Sequence, residues 1–373
     1  MVSFSGGKTD KRAQILEQMK SQDAVVFTGD GEPQSPQSTI ARLNSLLAEG
    51  RLQPDSYSLG GAVQALEERM ASELGKEAAI WMPTGTLANH LALRRHAGTT
   101  SRVILQEQSH AYQDEGDALA RLSGLNGIPL AKGRPFFTAD ELRAALDEAV
   151  TGRVLNPAGA VSIESPVRRQ AGQIVPFDEM QAVTELCREE GIPSHLDGAR
   201  LYMMSAATGV GIKTYADLFD SVYVSTWKYF GSPLGAILVG NSDFIEGMYH
   251  DRRMFGGGLP SGYLPAALSL AGVDGFEERF AQAFARAEEV FAEINKLVGV
   301  SVRKFEHGSN IFELVIDEAI NTDQFVDKLL EAGIVLNAQS GDWPVPLLHV
   351  NTTILRRPIN EIVEAFSSAV NSD

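Results

Sequence analysis

What most constrains this chain is an alternation. Short apolar runs, each closed by a polar or small residue, are separated by stretches with apolar residues at helical spacing. AAIWM (78–82), RVILQE (102–107), GAVSIES (159–165), PSHLDGA (193–199), SVYVSTW (221–227) and GAILVG (235–240) are the clearest of these runs. Strands that alternate with helices predict an α/β fold with a mainly parallel sheet covered on both faces. Ligands of such sheets collect beyond the carboxyl ends of the strands. The conspicuous polar residues fall there: Thr84 to Thr86, His110, Glu164, Asp197 and Lys228 each sit at or just after a predicted strand end.

The flanks read differently. Residues 1–45 look peripheral, with a polar start, a helix-like RAQILEQMKSQ and a turn-rich TGDGEPQSPQ. After the glycine run Gly256–Gly258 comes a long helical pattern, then SNIFELVI, FVDKLLEAG, IVLNA and a last helix INEIVEAFSSAV. The expected organisation is an N-terminal segment 1–45, a large domain 46–265 and a smaller C-terminal α+β domain 266–373. A net charge of −16 repels polyphosphate and argues against nucleic-acid binding. Cys187 is the single cysteine, which excludes an internal disulfide and a cysteine-built zinc site, and the seven histidines show no metal-ligand spacing. The start lacks the apolar core of a signal peptide and no apolar run reaches transmembrane length, so a cytoplasmic protein with no membrane partner is expected.

Lys228 ends an apolar strand and precedes YFGSPLG, a loop of small residues. A lysine there is costly to bury unless it is paired or used as a Schiff base, although one reaching water fits the same pattern. Asp197, in HLDGAR, ends another apolar run on what should be the neighbouring strand; an N-cap would explain it equally well by itself. Together they match what pyridoxal phosphate needs: an amine for its aldehyde and a carboxylate that keeps its ring nitrogen protonated. Thr84-Gly85-Thr86 ahead of a helix could receive the phosphate, or could be an ordinary turn and cap. His110 could stack on a planar cofactor, shuttle a proton or cap a helix, and Glu115 could orient it or be solvated. No GxGxxG after a first strand, no Walker lysine loop and no nucleophile elbow is present.

Taken in order and spacing, YSLGGAVQALEERMA, MPTGTLANHLAL, EQSHAYQDEGDALARLSG, HLDGAR, SVYVSTWKYFGSPLGAILVG and RRMFGGG resemble the threonine aldolase and β-eliminating lyase family. The resemblance runs from about residue 25 to the C-terminus and implies fold type I, with a mainly parallel seven-stranded sheet. It implies pyridoxal 5'-phosphate as cofactor, Lys228 as its Schiff-base lysine, Asp197 as the partner of the pyridine nitrogen and His110 as the ring that stacks on it. By the same resemblance Thr84, Gly85 and Thr86 would hold the phosphate, and Arg200 would meet the carboxylate of an amino-acid substrate. Tyr57 would enter an active site at a subunit boundary, in a homodimer or homotetramer. The implied reaction is retro-aldol cleavage of a β-hydroxy-α-amino acid, with β-elimination, racemisation or cofactor binding without catalysis as alternatives.

The chain also departs from that pattern. Where aldolases carry Arg-Ser-Asp-Thr it has Thr28-Gly29-Asp30-Gly31, and Leu348 stands where a second carboxylate-binding arginine is expected. The arginine expected after the glycine run is replaced around Pro260. Glu-Asn-Thr-His becomes Glu164-Ser165-Pro166-Val167, Trp227 replaces a serine before the lysine, and no histidine precedes the Glu164 strand. Arg168, Arg169, Arg356 and Arg357 are the remaining candidates for a second carboxylate contact, or else surface arginines.

Overall fold

The strands of the computed structural model, which describes residues 15, 18, 19, 21–338 and 343–371, follow the predicted runs closely. In chain order they are β1 (Val25–Val26), β2 (Ala78–Met82), β3 (Arg102–Gln106), β4 (Asn126–Leu130), β5 (Ala158–Glu164) and β6 (Ser194–Asp197). Next come β7 (Ser221–Ser225), β8 (Ala236–Gly240), β9 (Val300–Lys304), β10 (Ile311–Ile316), β11 (Ile334–Val335) and β12 (Leu347–His349). Seven of them form one sheet in the order β2-β8-β7-β6-β5-β3-β4. Only β8 runs against its neighbours, β2 and β7; the other pairs are parallel.

The central strands β6, β7 and β8 are buried on both faces because helices cover both. Every residue of SVYVS in β7 and of AILVG in β8 is buried, as two-sided coverage requires. The helix Gly85–Ala97 lies against β2, β5, β7 and β8, and its buried Ala88, Leu91 and Ala92 join Ile80, Met82, Tyr223 and Leu238 in one apolar cluster. Its start is set by Thr84, whose hydroxyl accepts the Leu87 N–H at 3.2 Å. The helix Ala139–Thr151 opens with a full capping box between Thr138 and Glu141. Strand β4 escaped the sequence reading: NGIPL carries Gly127 and Pro129 and lacks a continuous apolar run. It lies at the edge of the sheet, where a proline is tolerated.

The chain divides into two compact units, 42–274 and 1–41 with 275–373. The larger unit holds the seven-stranded sheet. In the smaller, β12-β10-β9 form an antiparallel sheet, and β1 pairs in parallel with β11. The helices Phe276–Ile294, Thr322–Glu331 and Ile359–Val370 belong to the same unit. The N-terminal segment expected to stand apart is therefore grouped with the C-terminal residues, and the second division falls at 274 instead of 265. The pairing of Val25 with Ile334 and of Val26 with Val335 explains the grouping, since no local pattern announces a two-residue strand. The helix read at 12–22 lies largely outside the described residues. Among the described residues no helix is long and apolar enough to cross a membrane.

Candidate active site

Because β2, β3, β5, β6 and β7 point the same way, their carboxyl ends share one edge of the sheet. The reversed strand β8 starts at that edge, so Pro233 and Leu234 arrive there as well. Gly235, at φ 130, makes the approach possible: a Cβ would lie 2.5 Å from Thr226 Oγ1 and 2.9 Å from Trp81 Nε1. A cavity of about 370 Å³ opens at this edge, large enough for a small cofactor. Thr84, Gly85 and Thr86 line one part of it, and His110, Asp197, Arg200 and Lys228 line the rest. Glu164, Tyr223 and Trp227 complete the polar and aromatic lining.

Tyr57 is the expected site residue that does not line this cavity. It is 47% exposed, and it and Ser58 adopt left-handed backbone, φ 50 and 63. The loop is held firmly. Buried Arg252 donates to Trp81 O at 2.7 Å and to Ser58 O at 3.0 Å, while the Arg253 guanidinium lies 4.3 Å from the Tyr57 ring centroid.

Asp197 is 4% exposed and closes β6. Its Oδ1 accepts the Ala199 N–H at 3.1 Å and its Oδ2 accepts Asn89 Nδ2 at 2.7 Å. The same Asn89 nitrogen lies 3.3 Å from Glu115 Oε1, which accepts His110 Nδ1 at 3.0 Å. The Glu115 bond raises His110 above its ordinary value against the opposing effect of burial, with Asp197 adding to the rise. Glu164, at the end of β5, is fully enclosed. Its carboxyl accepts the backbone N–H of His110 and, at 2.9 Å, of Arg168, so it caps the short helix His110–Gln113. Burial lifts it to about 7, with Asp197 adding to the rise and the two backbone donors opposing it. Two further residues of this cluster, Asn89 and His195, escaped the sequence reading; Asn89 follows Gly85 by one helical turn, the one signal that could have found it.

The four spare arginines do not reach the cavity. Arg168 and Arg169 both pair with Asp114, at 2.6 and 3.1 Å. Arg356 holds Glu32 at 2.7 Å and the Ala24 carbonyl, and Arg357 donates to Asp23 O. Arg168 and Arg169 thus hold a side chain, and Arg356 and Arg357 hold backbone carbonyls, each within its own unit. Cys187 is buried, and burial pushes its thiol up to about 12, so it is inert at neutral pH.

Residues 38–317 match the family described as Beta-eliminating lyase, three quarters of the chain. The chain belongs to the Beta-eliminating lyase family. This is a family of pyridoxal-phosphate-dependent enzymes that includes threonine aldolases. A low-specificity L-threonine aldolase of Candida albicans is 31% identical over 235 residues, which cover 62% of this chain and 61% of that protein. The match thus spans less than two thirds of that relative's length. The alanine racemase TOXG of Cochliobolus carbonum is 28% identical over 360 residues, 89% of this chain and 88% of that one. The crystal structure of a Listeria monocytogenes protein classed provisionally as an L-allo-threonine aldolase superposes with a TM-score of 0.76 at 26% identity. It covers 95% of this chain and 99% of that one. The expected family and the fold type I architecture, a seven-stranded mainly parallel sheet with a smaller C-terminal sheet, are both found.

Proposed function

We propose that this member of the Beta-eliminating lyase family binds pyridoxal 5'-phosphate through Lys228 and cleaves the Cα–Cβ bond of a β-hydroxy-α-amino acid to glycine and an aldehyde. One observation carries the proposal: an amine, a buried carboxylate and a helix N-terminus converge on a single cavity. These are the three groups that the aldehyde, ring nitrogen and phosphate of that cofactor require. When bound, the cofactor supplies an electron sink for the pair left at Cα. The remaining work falls to the side chains. Asp197 holds a proton at the ring nitrogen. The first amides of the helix Gly85–Ala97 and the hydroxyls of Thr84 and Thr86 take the phosphate, and Gly85 lets it come close. Its Cβ position is already filled, since a methyl group there would meet Tyr223 Oη at 2.0 Å. Arg200 takes the substrate carboxylate alone, and His110, oriented by Glu115, removes the β-hydroxyl proton. Tyr57, outside the cavity of its own chain, suits a role at the boundary of a homodimer or homotetramer.

The test is an absorbance spectrum before and after borohydride, with mass mapping of the reduced peptide, followed by assays for glycine from L-threonine and L-allo-threonine. Visible absorbance lost on reduction, an adduct on Lys228, and glycine release abolished in Lys228→Ala are expected. Absence of absorbance after adding the cofactor would overturn the proposal.

A second reading is racemisation of a small amino acid. The match to the alanine racemase over 89% of the chain favours it, as does the missing histidine before the Glu164 strand. Deuterium uptake at Cα of alanine in heavy water, with no glycine from any β-hydroxy amino acid, would select it.

A further inference from the structure

Behind Asp197 runs a buried line of hydrogen bonds whose direction can be worked out from its chemistry. Asn89, 1% exposed, presents Nδ2 to two carboxylates, Asp197 at 2.7 Å and Glu115 at 3.3 Å. Ionised carboxylates only accept, so the amide nitrogen must be the atom facing them and Oδ1 must face the other way. Oδ1 lies 3.1 Å from His195 Nε2, so that nitrogen carries the proton. Burial holds His195 at about 3, with His96 adding to the effect, so the ring is neutral at pH 7 and Nδ1 bears a lone pair. Ser221 Oγ, 2.8 Å away, donates to it, and Ser221 in turn accepts from His96 Nε2 at 2.7 Å. Every link therefore donates toward Asp197. Its first four members, Asp197, Asn89, His195 and Ser221, are buried, on β6, on the helix Gly85–Ala97 and on β7.

The arrangement has more constraint than packing needs. Apolar residues would fill the same interior without four polar side chains to satisfy. A reversed Asn89 amide would set its oxygen against two carboxylates, so His195 and Ser221 fix the amide and the amide fixes the Asp197 carboxylate. We propose that Asn89, locked by His195, is a positioning residue that sets the Asp197 carboxylate for its partnership with the pyridine nitrogen of the cofactor. This rests on the cofactor reading given above. The fixed donors at Oδ1 and Oδ2 leave the carboxylate's other lone pairs to the cavity, where a protonated ring nitrogen can donate.

The test compares pyridoxal phosphate with its 1-deaza analogue, in which a carbon replaces the ring nitrogen. Apo protein is titrated with each, for wild type and Asn89→Leu, and the apo melting temperature is recorded. Wild type should bind pyridoxal phosphate more tightly than the analogue. Asn89→Leu should lose about tenfold in affinity for pyridoxal phosphate, the worth of one hydrogen bond to a charged group, with the analogue's affinity unchanged. An unchanged ratio of the two affinities, or an equal loss for both ligands, would show a structural role and overturn the inference. If Asn89→Leu does not fold, Asn89→Ser, which is smaller and puts a short hydroxyl where the amide was, is read by the same ratio. Wild type that binds both ligands equally would instead refute the pairing of Asp197 with the ring nitrogen, and wild type that binds neither would refute the cofactor reading itself.

Discussion

At the scale of single residues, environment decides what each titratable group can do. Glu115 and His110 form a pair whose hydrogen bond favours the imidazolium, so His110 loses its proton above pH 6.5. A base must be neutral to accept, and activity should therefore fall as pH drops through that raised value. In Glu115→Gln the acid limb of kcat/KM against pH should move to lower pH, while an unmoved limb would show that His110 is not the base. Glu67 is shifted in the same direction for another reason. Burial raises it to about 7, outweighing the Trp81 N–H it accepts at 2.7 Å and the Arg252 guanidinium 3.7 Å away. The folded chain thus keeps a proton that the unfolded chain releases above about 4.5, and stability is lost as pH rises through 7. Glu67→Gln should gain on wild type between pH 5 and 8, by up to about 3 kcal/mol from the size of the shift. Urea midpoints at several pH values check it, and a constant difference would refute it.

Among the elements, the helices carry the sheet's constraints. Gly272 lies in the helix Tyr263–Val273, and a Cβ there would sit 2.0 Å from the Phe230 carbonyl oxygen. A backbone oxygen two residues after Lys228 cannot swing aside as a side-chain tip can. Gly272→Ala should therefore cost about 1–3 kcal/mol in denaturant-monitored stability and disturb the loop that follows the lysine. A variant as stable as wild type would mean that helix and loop separate easily. The helix Gly85–Ala97 has two tasks: its N-terminus opens on the cavity, and one turn later it brings Asn89 to Asp197. The arrangement ties the proposed phosphate and ring-nitrogen contacts to one rigid rod.

For the whole molecule, the buried histidines predict how folding responds to acid. Burial holds His96 at about 4 and His195 at about 3, against 6.5 in the unfolded chain. Below pH 6.5 the unfolded state binds protons that the folded state refuses, so stability falls with pH until the folded values are reached. Glu67 and Glu164, both raised to about 7, act with the opposite sign above 4.5. The two pairs offset each other between about pH 4.5 and 6.5 and leave losses on either side. Glu32 and Asp114, lowered by their arginine and hydroxyl partners against burial, deepen the acid loss. Thermal unfolding across pH 3.5–8.5 should show a plateau with two falling flanks, and a steady rise to pH 8.5 would contradict it.

The sequence by itself determined six of the seven strands of the large sheet, and the polar residues at the strand tips, because burial on two faces leaves an apolar run and each tip leaves a polar residue where the run stops. Asp197 closes β6, and Lys228 lies in the turn just after β7, which ends at Ser225; the two strands are neighbours, as the separation in sequence allows. What only the tertiary structure decided is non-local. The reversal of β8 brings Pro233 and Leu234 to the cavity, the proline-bearing edge strand β4 pairs with β3, and residues near 25 pair with residues near 334. Asn89 reads as one more polar residue on an amphipathic helix until folding sets it against Asp197 and His195. Periodicity records how much of each segment is buried; it does not record which distant group lies on the other side.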